Sequence, residues 1–198
     1  MQNIEHDIKK YDQYFITKNY KKNSLNDYLA YIEKVLNTGV KLVQFRSKNL
    51  SKNQYSIVSA EIYKLCKKYK SFFIINNIDN LELNKFCDGI QLTSENLKCT
   101  NINSIDNKYI LFGSCHNEQE INICNKSNID AILLSSVNST SNKIGIGWNK
   151  FKMLADISEK PVFAWGGLNY INDIVTAKEN GGHGIAAISY FNQLPWTW

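Results

Sequence analysis

The sequence predicts an α/β fold of the (β/α)8 TIM barrel type, in a single domain over residues 1–198. Three observations predict it: eight short β-branched or aromatic runs, helical apolar stripes between them, and polar or glycine residues directly after the runs. Apolar residues on both faces of a run mark parallel strands covered by helices. A doubly wound open sheet has only about five or six strands and binds at a switch point, whereas eight strand–helix units close into a ring with the site at the strand C-terminal ends. A chain of 198 residues is short for that ring, so helices and connections must be lean.

The first run, YDQYFIT (11–17), leads to a stripe of Leu25, Leu29, Ile32, Val35 and Leu36, spaced as one buried helix face. VKLVQF (40–45) follows, then a second stripe of Val58, Ile62, Leu65 and Tyr69. SFFII (71–75) and DGIQL (88–92) are the third and fourth runs, and KYILF (108–112) is the fifth. NEQEINICNKS then opens a helix on an Asn, a residue that caps helix N-termini. DAILL (130–134) and PVFAW (161–165) come next, and NYINDIVTAKENGG again starts on Asn and stops at Gly181-Gly182. GIAAI (184–188) closes the series; the remaining YFNQLPWTW is too short for a full helix, and Trp196 and Trp198 are read as packing within the chain.

Composition bounds the function. With 43% hydrophobic and 12% aromatic residues the chain can bury a sizeable core. A net charge of +5 is spread over scattered lysines whose densest runs are pairs, a solvated surface rather than a nucleic-acid footprint. No stretch reaches the roughly 18 apolar residues of a membrane span, and no signal peptide is evident, so the expectation is a cytoplasmic protein with no membrane partner. Five cysteines without a C-x-x-C pair suggest neither a zinc site nor a disulfide framework. Asparagine is so abundant, at 26 residues, that no argument rests on a single one; the excess is read as drift in surface loops.

Strand parity locates the chemistry. Alternate residues of a barrel strand point inward, so Gln44 and Arg46 share the interior while Val43 and Phe45 face the helices. Arg46 with Lys48 just beyond makes a cationic rim, suited to an anionic ligand. Other strand ends add Asn76, Asn77 and Asp79; Thr93, Ser94, Glu95 and Asn96; then Ser114, and the hydroxyl-rich 135–143 with Thr140 and Lys143. Gly166, Gly167 and Ser189 stand after the seventh and eighth runs, where barrels often bind phosphate through backbone N–H groups. His116 has two readings, a proton shuttle at the rim or a helix-entry residue bonding locally. Cys115 beside it is expected to pack under a helix, and His183 to be structural.

These segments, from YFIT through VKLVQFRSKNLS, FIINN, CDGIQLTSENL, GSCHNEQE, DAILLSSVNSTSNK and PVFAWGGLN to GIAAIS, resemble the thiamine phosphate synthase and thiazole tautomerase family over about residues 11 to 191. The Q-x-R-x-K and T-x-x-K triplets and the Gly-Gly with a terminal Ser are jointly specific. SCHN, GIGWNKF and GGHGIAAIS are similar to a divergent branch often fused to a Nudix hydrolase domain, of which these residues contain no segment.

The resemblance implies an enzyme joining a pyrimidine diphosphate to a thiazole phosphate with release of pyrophosphate. Gln44, Arg46 and Lys48 would contact the diphosphate substrate, with Asn76 and Ser114 nearby; Thr140 and Lys143 would hold the pyrophosphate and thiazole side, and Gly167 with Ser189 the thiazole phosphate. It also implies Mg2+, but Asn77 and Asn96 stand at both carboxylate positions of the metal site, with Asp79 and Glu95 as the nearby substitutes. Gln91 replaces the family's usual histidine. The alternatives are a metal-independent tautomerase using His116 and a non-catalytic barrel binding a phosphorylated ligand; the retained triplet with Lys143 places the synthase first. A homodimer is expected, as in many barrels.

Overall fold

The structure is a computed structural model that describes residues 8–21, 24–81, 86–140 and 144–192. Eight parallel strands close in sequence order, with β8 returning beside β1. They are β1 (Gln13–Ile16), β2 (Leu42–Phe45), β3 (Phe72–Asn76), β4 (Gly89–Leu92), β5 (Ile110–Cys115), β6 (Ala131–Ser135), β7 (Val162–Trp165) and β8 (Gly184–Ala187). Around them run α1 (Leu25–Asn37), α2 (Lys52–Lys68), α3 (Ser94–Cys99), α4 (Glu118–Asn125), α5 (Gly147–Ala155), α6 (Tyr170–Glu179) and α7 (Ser189–Asn192).

All eight expected runs contain a strand, and the four expected helices form where their stripes and caps lie. One strand boundary differs by more than two residues. The fifth strand continues through Gly113-Ser114-Cys115, which read as a loop, because Ser114 and Cys115 pair with Leu133 and Leu134 of β6. Gly113 is needed there: a Cβ would meet the Cys124 sulfur of α4 at 2.6 Å. Short α3 and α7 carry too few residues to display a stripe. Trp196, Trp198 and Lys143 lie outside the described residues.

Strand alternation divides the apolar residues into two cores. Tyr14, Leu42, Ile74, Phe112, Leu133 and Phe163 fill the barrel interior. Phe15, Val43, Phe45, Phe73 and Ile75 face outward against Ile32 of α1 and Val58 and Ile62 of α2. Each fully buried side chain of this size contributes roughly 1.5–3 kcal/mol. Val43 and Phe45 are thus outside and Gln44 inside, as the parity required.

The asparagines include cappers rather than loop drift alone. Asn117 accepts the Glu120 N–H at 3.0 Å to start α4, and Asn169 accepts the Asn172 N–H at 3.3 Å to start α6. Ser51 and Gln54 form a capping box at α2. His183 places Nε2 3.2 Å from the Tyr11 carbonyl, the structural role expected of it.

Closure at the β8–β1 seam depends on Gly184, where a Cβ would lie 2.7 Å from the Asp12 Cα. Gly184→Ala should therefore destabilise the barrel by about 1–3 kcal/mol, through backbone shift at the seam. Thermal denaturation checks this; an unchanged midpoint would show the seam to be more compliant than the geometry indicates.

Candidate active site

The strand C-terminal ends open into a pocket of about 990 Å³. Gln44, Arg46, Lys48, Asn76, Asn77, Gln91, Ser114, His116, Thr140, Gly166, Gly167 and Ser189 line it, as does Glu95, whereas Asp79 and Asn96 do not. Ser47, Lys52, Ser135, Ser136 and Trp165 line it as well and were not singled out from sequence. Lys52 was hidden as the first residue of α2, and Trp165 because it ends an apolar strand whose next residues drew the reading.

The floor is uncharged. Gln44 donates from Nε2 to the Tyr14 hydroxyl at 3.1 Å and to Gln91 Oε1 at 3.2 Å, and Gln91 Nε2 donates to Ser114 Oγ at 2.9 Å. The Tyr14 hydroxyl donates to Gln91 Oε1 at 3.3 Å. Burial raises the Tyr14 phenol far above its ordinary value, so this network of amides and hydroxyls carries no charge at neutral pH.

One wall is cationic. Arg46 and Lys48 follow β2, and their backbone N–H groups are pinned to Thr17 Oγ1 at 3.1 Å and Asn19 Oδ1 at 3.2 Å in the loop after β1. Burial lowers the Arg46 value, yet a guanidinium keeps its proton in proteins. Among the described residues no carboxylate pairs with Arg46; its guanidinium instead lies 5.8 Å from the centroid of the Trp165 ring.

The opposite wall is backbone. Gly166 and Gly167 have φ of +106° and +67°, which side chains rarely adopt, and a Cβ on Gly166 would meet the Ser136 Cα at 2.9 Å. The loop after β6 is zipped to them: Val137 N–H donates to the Trp165 carbonyl at 3.0 Å, Asn138 N–H to Gly166 at 3.0 Å, and Asn138 Nδ2 to Gly167 at 3.1 Å. This packing brings Thr140 and the glycine pair to one wall.

His116 combines both sequence readings. Its N–H donates to Glu120 Oε2 at 2.7 Å, and its ring Nδ1 lies 2.8 Å from the Ser135 carbonyl while the side chain lines the pocket. A carbonyl only accepts, so Nδ1 carries the proton in this contact. Glu120, 2% exposed, also accepts from Ser94 Oγ and pairs with Lys98 at 3.2 Å. Burial raises its value, but the hydrogen bonds from Ser94 and His116 outweigh that and hold the carboxyl below the usual range. Cys115 packs away from the pocket, 3.5 Å from Cys124; that neighbour and burial push its thiol far up, so it is no nucleophile.

The metal positions do not fit a magnesium ion held by protein carboxylates. Asn77 turns its side chain onto Asp79, accepting the Asp79 N–H at 3.1 Å and donating to Oδ2 at 3.0 Å. Asn96 is buried and accepts the Thr93 N–H at 3.1 Å in the capping box of α3. Asp79 and Glu95 are exposed, and among the described residues no cluster of three or more His, Cys, Asp or Glu could hold a metal. Magnesium is typically held through one or two carboxylates together with water and substrate phosphates, and positions 77 and 96 offer none.

The fold and this mouth define a (β/α)8 barrel with a cationic, polar pocket at the strand C-terminal ends, and comparison with known proteins narrows it. The thiamine monophosphate synthase family model matches residues 13–191, and the chain belongs to that family. A protein of Aquifex aeolicus with the provisional name thiamine-phosphate synthase 2 is 32% identical, covering 83% of this chain and 90% of its own. The thiamine-phosphate synthase of Prochlorococcus marinus subsp. pastoris is 34% identical over 81% of this chain and 47% of its own. The solved thiamine phosphate pyrophosphorylase of Pyrococcus furiosus has the same fold, with a TM-score of 0.75 at 23% identity over 91% of this chain and 87% of its own. No described helix is long and apolar enough to cross a membrane.

Two predictions follow from this geometry. Glu120 has a lowered value, so its stabilisation is complete above the unfolded carboxyl range near about 4.3 and fades as pH falls through the folded value. Glu120→Gln should thus be less stable than the native chain at pH 7, with the gap narrowing toward pH 3 in urea titrations; a gap constant with pH would contradict the assignment. Secondly, calorimetry should find magnesium bound about tenfold or more tightly by the double variant Asn77→Asp, Asn96→Asp than by the native chain. Equal affinities would mean the two positions do not form a metal site.

Proposed function

We propose that the chain joins hydroxymethylpyrimidine diphosphate to thiazole phosphate, giving thiamine phosphate and pyrophosphate. The observation that carries this reading is Arg46 with Lys48 on the mouth of β2, a guanidinium without a carboxylate partner among the described residues, facing an uncharged floor. The bond between the pyrimidine methylene carbon and its diphosphate oxygen breaks with the electron pair leaving on oxygen. The thiazole nitrogen lone pair then forms the new C–N bond.

Negative charge accumulates on the departing diphosphate, and preorganised cations aimed there stabilise the transition state more than the ground state. Arg46 and Lys48 take that role, and Lys143 joins them by the family pattern. Gln44, Gln91, Asn76 and Ser114 offer amide and hydroxyl contacts to the pyrimidine, while Gly167, Thr140 and Ser189 receive the thiazole phosphate. Asn77 and Gly166 shape the same rim. No step is assigned to magnesium, because the donor set at 77 and 96 does not fit it.

A second reading has one favourable observation. His116 presents an oriented imidazole to the pocket, the arrangement that moving a proton within a thiazole carboxylate phosphate needs. The purified protein, assayed by chromatography with both synthase substrates, should form thiamine phosphate. Arg46→Ala should lower kcat/KM by about 100-fold or more, as loss of one charge-stabilising donor does, and His116→Ala by much less. Absence of product, with His116-dependent isomerisation of the thiazole carboxylate phosphate, would replace the synthase reading by the tautomerase one.

A further inference from the structure

Trp165 is unused by the scheme above, yet it lines the mouth. It ends β7, paired with Ser135 of β6 on one side and Ala186 of β8 on the other, so its side chain shares the inward face with Phe163. Two aromatics line the pocket among the described residues: Tyr55 is buried and bonded to the Phe45 carbonyl at 2.8 Å, whereas Trp165 is half-buried and open to the cavity. Its backbone is fixed by the Val137 N–H. Its indole N–H has no hydrogen-bond partner among the described residues.

The ring already receives a planar cation. Arg46 lies 5.8 Å from its centroid, within reach of the ring quadrupole. Its strand neighbour Ala186 and the adjoining Ala187 line the pocket with it, and both side chains are small. A substrate whose diphosphate sits on Arg46 and Lys48 carries its ring one methylene away, within about 5–6 Å of those phosphates by ordinary bond lengths. A ring at that distance from Arg46 can reach the Trp165 face, because Arg46, the amide floor and Trp165 line one pocket.

We propose that Trp165 is a specificity-determining residue that stacks on the electron-poor heteroaromatic ring of the diphosphate substrate, distinguishing ring-bearing diphosphates from bare pyrophosphate. The inference rests on the synthase reading for the identity of that ring. Stacking of this kind is sequence-visible only as a tryptophan at the end of an inward strand. An aliphatic residue here would offer area without the quadrupole.

The test is calorimetric titration of the native chain, Trp165→Phe and Trp165→Ala with pyrimidine diphosphate and, separately, with inorganic pyrophosphate. Trp165→Ala should weaken pyrimidine diphosphate about tenfold, Trp165→Phe should recover most of it, and pyrophosphate should change by less than about twofold. Equal losses for both ligands would overturn the proposal, showing that Trp165 acts only by holding Arg46, and no loss for either would overturn it too. Thermal denaturation of each variant accompanies the titrations, with Trp165→Phe as the variant that preserves packing. Product formation by the native chain separates the two readings: turnover with unaltered Trp165→Ala binding sinks this inference alone, and Trp165-dependent binding without turnover sinks the synthase reading alone. A native chain that binds no pyrimidine diphosphate overturns both.

Discussion

A closed ring of eight short strands gives every strand one inward and one outward face, and in β2 the parity of a single residue decides which chemistry enters the pocket. Val43 and Phe45 lie against the helices, so Gln44 points to the interior and Arg46 emerges at the mouth. A one-residue slip would place Val43 and Phe45 in the cavity and drive the guanidinium under α1 and α2. Closure makes that slip costly, because every strand is held on two sides and the seam at Gly184 admits no side chain.

The remaining features of the mouth depend on where that one cation is placed. A half-buried guanidinium without a carboxylate partner carries a desolvation cost, and an arriving anion relieves it. The buried floor adds no compensating charge: Tyr14, Gln44, Gln91 and Ser114 satisfy one another as neutral groups. The glycine wall approaches from the other side, with positive φ values and with close packing against Ser136 and Asn138 that leaves no room for a Cβ. Site residues that violate local preference while the surrounding barrel obeys it are the pattern expected where function has been built in.

Much of this was legible in the residues. All eight strands were visible because apolar runs of about five residues, bounded by polar turns, have few other solutions. The inward register of Gln44 and Arg46 followed from alternation alone. Gly113–Cys115 escaped because a Gly-Ser pair resembles a loop until β6 is seen to pair with it. Trp165 escaped for the opposite reason, since an aromatic ending an apolar strand looks like core. The buried carboxylate of Glu120 could not be read, because Ser94 and Lys98 come to it from α3 and His116 from the turn after β5. Asn96 was read as a lost metal ligand; the fold shows it also serving the cap of α3.

The central claim is that the mouth at β2 is an anion site awaiting a diphosphate. Titration of the native chain and Arg46→Gln with inorganic pyrophosphate, at two salt concentrations, tests it most directly. The account predicts one site per chain, affinity falling with salt, and binding weakened at least about tenfold by Arg46→Gln, which removes a charge-assisted contact. Binding of equal strength in both proteins, or none in the native chain, would contradict it.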